Sequence, residues 1–283
     1  MRTIACNFAA LLAAGALAAA ERPMVVVSVA PQRGIVERLA GASVDLLTLI
    51  PTGSDVETYA PSAQQAAGLE RAALVFWVGH PAVPLEARLL APWLARRPGV
   101  PRVALVDHDP AGTGGEPARH GESHGDPHLW TSPRVVRGAA VELTEALAAL
   151  LPDEAMAIRA RGAAFDAEIA ALDGRLAARL AGGGRFLVDH PSLGYLARDY
   201  GLEQRALEHD GKEPTPKQLA RLVAWARGAG VRVVLAQRGA SRRSAELLAR
   251  ETGAELLEVD PLAPDWLDGI ERLGAALERA VVK

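Results

Sequence analysis

Cysteine is almost missing from this chain: its 283 residues contain one, Cys6. A single thiol excludes an internal disulfide framework and any metal site built on several thiolates, so a metal here must be held by His, Asp and Glu. An excess of positive charge is missing as well. Lys and Arg number 31 against 34 Asp and Glu, a formal net charge of -3, which offers no cationic stripe to neutralise phosphates; nucleic acid is not an expected partner. Aromatic residues make up only 4%, too few for a roomy ring-walled pocket that would take an organic ligand or a chelated metal. Long apolar runs are also lacking. The stretch 8–20 is bracketed closely by Asn7, Glu21 and Arg22 and falls short of the roughly 20 residues that a membrane-spanning helix needs.

What is present is globular material, 49% hydrophobic and 23% charged, enough for one core or two modest ones. The N-terminus has its own pattern: Arg2, the apolar stretch, and Ala18-Ala19-Ala20 before Glu21 read as a secretory signal over residues 1–20, cleaved after Ala20. Cys6 precedes the apolar stretch, whereas a lipoprotein cysteine follows it, so an acylated anchor is not expected.

Beyond the signal, short apolar runs at 25–30, 45–50, 73–78 and 102–106 are separated by helix-like stretches, the alternation of βα units around a parallel sheet. From 107 to 126 the pattern gives way to Gly, Pro, His and acidic residues, which predicts a surface loop. Helical periodicity resumes over 132–151, and a second helix runs from about 153 to 180, stopped by Gly182-Gly183-Gly184. At about 1.5 Å per residue it would span roughly 40 Å, the length of a strut between two domains. Strands at 185–189, 204–207, 231–236 and 255–259 then alternate with helices at 193–200, 216–227, 242–252 and 266–282. The expected fold is α/β: two lobes, each with a mainly parallel sheet flanked by helices, joined by one long helix. The boundaries are an N-terminal lobe 21–151 with the loop 107–126, a linking helix 152–183 and a C-terminal lobe 184–283.

Four of the seven histidines, His108, His120, His124 and His128, lie between 107 and 128 among Asp107, Asp109, Glu116, Glu122 and Asp126. Nitrogen and oxygen donors of this kind suit zinc and its neighbours. A flexible segment bearing them could recruit a metal weakly; equally, it could be a solvated polar loop. His128 is set apart because Asp126-Pro127-His128-Leu129-Trp130 ends the loop where a helix opens. His190 has the matching position in the second lobe, where a strand runs into His190-Pro191. Ligands of parallel α/β sheets bind at the carboxyl ends of strands, which favours both histidines as ligands.

Four segments are similar to the ligand-bearing motifs of the zinc and manganese ABC-transporter binding proteins, the ZnuA/TroA-like group. They are residues 51–61 (PTGSDVETYAP), 126–130 (DPHLW), 190–202 (HPSLGYLARDYGL) and 259–262 (VDPL), in that family's order and with a long helix between the second and third. Gly211-Lys212-Glu213-Pro214-Thr215-Pro216 also resembles that family. The resemblance implies a periplasmic protein that captures one Zn2+, or Mn2+, and delivers it to an ABC permease in the membrane without catalysis. It implies His128 and His190 as ligands, Asp260 as the fourth, and Glu57 at the position where most members have histidine. Glutamate binds zinc, yet two carboxylates and two imidazoles are a harder donor set than three imidazoles, which keeps manganese open. His80 or a loop histidine is the alternative for the missing imidazole, while His108, His120 and His124 are expected to give weak sites only. A monomer is expected, with a periplasmic metallochaperone as a further partner. The alternative from another class is a secreted zinc-dependent hydrolase, but nothing here resembles His-Glu-x-x-His.

Overall fold

The computed structural model describes residues 21–110, 125–208, 214–239 and 242–281. The signal segment 1–20 therefore lies outside the described residues, as do His120 and His124.

In the first lobe, β1 (Met24–Val29), β2 (Asp45–Ile50), β3 (Ala72–Trp77) and β4 (Arg102–Ala104) form a sheet of order β2-β1-β3-β4, every pairing parallel. The helices α1 (Ala30–Ala40), α2 (Ala63–Leu69), α3 (Ala91–Ala95) and α4 (Pro133–Leu150) flank it. The valine run of β1 is buried over five of its six residues, as a strand covered on both faces must be. Ser132 caps α4 by accepting the Val135 N–H, with Pro133 in the first turn.

The linking helix α5 (Ala155–Leu180) has 26 residues and spans about 39 Å at 1.5 Å per residue. Ile158, Phe165, Ile169, Leu172, Leu176 and Leu180 are buried along it at spacings of three, four or seven. Its neighbours are α1 and α4 of the first lobe, and α6 (Gly194–Tyr200) and α9 (Trp266–Leu277) of the second.

The second lobe repeats the first design. Its strands β5 (Gly184–Val188), β6 (Leu202–Ala206), β7 (Val233–Gln237) and β8 (Glu255–Val259) form a parallel sheet of order β6-β5-β7-β8, with α7 (Pro216–Ala229) and α8 (Arg243–Thr252) beside it. Alternate residues serve different cores, as strand geometry dictates. Phe186, Val188, Val233 and Leu235 join one apolar cluster that includes Val25, Phe76, Trp130, Phe165 and Trp266 and so runs through both lobes. Leu187, Val234 and Ala236 turn to a smaller cluster with Ala226, Ala245 and Leu248 of α7 and α8.

Two expectations are corrected at their ends. The helix expected over 266–282 stops at Leu277, gives one 3-10 turn (Glu278–Ala280), and leaves Val281 bridged antiparallel to Gly184. A side chain at Gly184 would meet the Ala280 carbonyl at 2.3 Å, so only glycine admits this approach. The loop expected from 107 begins later: Leu105–His108 is a 3-10 turn, and the Asp109 side chain is buried against Arg198 of α6 at 2.8 Å. The lobes also meet through two indoles, Trp130 Nε1 donating to the Pro261 carbonyl at 2.9 Å and Trp266 Nε1 to the Trp130 carbonyl at 2.7 Å.

Candidate metal centre

The carboxyl ends of the two sheets bring three donors together. Glu57 lies in the turn after β2, shaped by Asp55, whose carboxylate accepts the Glu57 N–H at 2.9 Å and the Thr58 hydroxyl at 2.7 Å. His128 stands just before α4. Oδ1 of Asp126 accepts its backbone N–H at 2.9 Å and lies 2.7 Å from its Nδ1, while the Trp130 ring packs edge-on at 5.1 Å. His190 follows β5. Asp189 staples that strand end to β7, one carboxylate oxygen accepting the His190 N–H and the other the Gln237 N–H, both at 2.8 Å. Burial raises the Asp189 carboxyl above its ordinary value, against these two N–H bonds.

His190 sits between two carboxylates. Its Nδ1 is 3.2 Å from Glu208 and its Nε2 is 3.6 Å from Glu57. Burial pulls its pKa down, but the hydrogen bond to Glu208 and the charges of Glu57, Glu208 and Asp55 outweigh this and hold it above the ordinary histidine value. The rings of His128 and His190 are 5.2 Å apart and inclined at 75°. One donor atom from each of Glu57, His128 and His190 falls within a mutual 4.8 Å. Donors bound tetrahedrally at roughly 2.1 Å would stand about 3.4 Å apart, so a small contraction suffices. A carboxylate at Nδ1 of each histidine favours the Nδ1–H tautomer and leaves Nε2 as the metal-facing lone pair.

The remaining sequence candidates are placed elsewhere. Asp260, after β8, falls outside this group of three: its Oδ1 accepts the Leu262 N–H at 3.0 Å, and its Oδ2 faces Arg238 at 3.8 Å. His108 is paired with Glu142 of α4 at 2.7 Å. His80 is buried near the centre, its Nδ1 accepting the Ala82 N–H at 3.1 Å, and it does not join the group; burial and the proximity of His128 lower its pKa, partly opposed by Asp126. Arg238 and Arg242 pair with Glu258. Trp130 is buried, and the Tyr195 hydroxyl donates to the Asp126 carbonyl at 2.9 Å. Sequence reasoning named no partner for either histidine's second nitrogen; Asp126 is two residues before His128, whereas Glu208 reaches His190 only through the pairing of β5 with β6.

Fold and donors together define a two-lobed metal-binding protein whose candidate site lies between parallel sheets. Residues 25–280 match the family described as zinc-uptake complex component A, periplasmic, and the chain belongs to that family. Among solved structures, a crystal structure of ZnuA superposes with TM-score 0.80 at 30% identity, covering 92% of this chain and 99% of that one. A zinc-bound deletion mutant of ZnuA gives 0.81 at 29% identity, covering 93% and 99%. The manganese complex of FpvC from Pseudomonas aeruginosa shares the fold, with TM-score 0.75 at 23% identity over 92% of this chain and 99% of that one. The zinc-binding lipoprotein AdcA of Streptococcus pneumoniae serotype 4 is 25% identical over 84% of this chain, which spans about half (50%) of AdcA's length. No described helix is long and apolar enough to cross a membrane.

Proposed function

We propose that this protein captures one zinc ion as cargo in the cleft and hands it to an ABC permease, with Glu57, His128 and His190 as primary ligands and Asp260 as the fourth. The observation that carries the reading is the convergence of three donors from two separate lobes within 4.8 Å. Asp260 joins when the cation's charge outcompetes the exposed Arg238 guanidinium, an ion pair of little intrinsic strength. Four protein ligands leave no open position for a catalytic water, so the reading is transport without chemistry. Residues 1–20 are a cleaved export signal, the working compartment is the periplasm, and the mature chain acts as a monomer with lobes 21–151 and 184–283 joined by 152–183. A periplasmic metallochaperone is a further partner.

Metal analysis of protein purified without added metal, followed by zinc and manganese competition, tests the reading. One equivalent of tightly held zinc is expected, lost in His128→Ala and His190→Ala and weakened in Asp260→Ala. Preferential retention of manganese would move the assignment to the harder ion. Hydrolytic turnover by the metal-loaded protein would overturn transport in favour of catalysis.

A further inference from the structure

Gly194 opens α6 in the second lobe without a left-handed backbone. Glycine there is not demanded by conformation. What demands it is a neighbour from the other lobe. A Cβ on Gly194 would stand 2.3 Å from Oδ2 of Asp126, the residue whose Oδ1 holds both the backbone N–H and the Nδ1 of His128. The next residue, Tyr195, donates its hydroxyl to the Asp126 carbonyl at 2.9 Å. Further along α6, Arg198 pairs with buried Asp109, and Asp199 accepts a hydrogen bond from Ser132, so the helix is fastened to the first lobe again beyond this contact.

We propose that Gly194 is a positioning residue for the metal site: its missing side chain seats the Asp126 carboxylate against α6, so that the second lobe fixes the orientation of the first lobe's ligand, His128. This rests on His128 being a ligand. Holding Asp126 from both sides leaves the imidazole one rotamer, with Nε2 directed at the ion before it arrives. The loss of a partner that orients a metal-binding histidine typically costs 10- to 100-fold in affinity.

The test is a zinc competition titration, at one pH, of the parent, Gly194→Ala, Asp126→Ala, the double variant, Tyr195→Phe and His128→Ala, with far-UV circular dichroism and melting of each metal-free protein. Gly194→Ala is expected to weaken zinc about tenfold or more and to shift the visible spectrum of the cobalt-loaded protein. In the Asp126→Ala background the same change should add less than about threefold, because the atom it strikes is gone. Tyr195→Phe, which keeps the backbone and loses one hydrogen bond, should weaken zinc severalfold and serves if Gly194→Ala folds poorly. Parental affinity in both Gly194→Ala and Tyr195→Phe, or a Gly194→Ala loss that adds in full to that of Asp126→Ala, overturns the proposal. If His128→Ala binds zinc as the parent does, the ligand assignment itself fails and this inference with it; a severe His128→Ala beside silent Gly194 and Tyr195 variants removes the inference alone.

Discussion

Glu208 holds His190 from behind: its carboxylate lies 3.2 Å from Nδ1, across the ring from the Nε2 edge that Glu57 faces at 3.6 Å. The pairing of β5 with β6 sets this up. Gly184 is opposite Leu202 and Val188 opposite Ala206, a constant offset of 18, which continued past the strand ends puts position 208 beside 190.

Glu208→Gln should therefore have two effects of opposite sign. The zinc affinity reached at high pH falls about tenfold, because a carboxylate raises the basicity of the ligand it orients. The pH below which the affinity drops away from that plateau moves downward, because His190 loses the first of the interactions that hold its pKa above the ordinary value. Zinc titrations between about pH 5 and 8 read both; an unchanged plateau together with an unchanged point of departure from it would show that Glu208 does not act on His190.

Glu57 is the position where the donor set departs from three imidazoles. Glu57→Ala is expected to weaken zinc substantially, on a scale set by His128→Ala and His190→Ala, whereas Glu57→His should favour zinc over manganese more than the parent does. Parallel titrations with both metals check this. Parental zinc affinity in Glu57→Ala, beside large losses for the histidine variants, would remove Glu57 from the site.

The histidine-bearing segment can be separated from the centre by deletion. None of Glu57, His128 and His190 lies within 111–124, so removing those residues should leave one tight equivalent and abolish only weak binding by His120 and His124. Extending the cut through Asp126 should damage the tight site, since Asp126 orients His128. Isothermal titration of the two deletions compares them; loss of the tight equivalent in the shorter one would place a primary ligand in the segment.

Glu86 supplies a pH dependence away from the metal. Its buried carboxylate accepts the N–H groups of Val78, Gly79 and His80, yet burial outweighs these bonds and the Ser28 contact and raises its pKa to about 7. Between the ordinary carboxylate range and about pH 7 the folded chain thus holds more protons at this site than the unfolded chain, and its contribution to stability falls as pH rises. Glu86→Gln cannot ionise and loses an acceptor, at a cost of about 1–3 kcal/mol. Urea unfolding of the metal-free proteins at pH 5 and 8 should show the parent's advantage shrinking at the higher pH; an equal gap at both would mean that Glu86 does not titrate in this range.

The sheets were legible because their strands are short β-branched or leucine-rich runs between Pro, Gly and charge; β2 and β8 fall at 45–50 and 255–259 as read. The long helix was legible from its spacing and glycine stop. His128 and His190 could be chosen because each sits where a loop or strand gives way to a helix. Glu208 could not, since β6 had been read as starting at 204 instead of Leu202 and no spacing along the chain reveals a register across it. Asp109 looked like one more loop acid because its partner Arg198 is 89 residues away. Glu86, a lone acid in an apolar stretch, gave no signal, and Gly194 was marked only as part of the segment 190–202; the role of each comes through neighbours that the fold supplies.

The apolar cluster that runs unbroken from β1 through Phe165 of α5 to Phe186 and Trp266 makes the two lobes one cooperative folding unit. A chain cut between them would leave each half exposing a face that its counterpart covers, and α5 would have a buried seam with half its lining gone. The halves are thus lobes in shape but not autonomous domains. The smaller cluster under α7 and α8 shares no side chain with this common interior, but Leu187 belongs to it three residues before His190, so any local loosening there reaches the strand that ends at the candidate site.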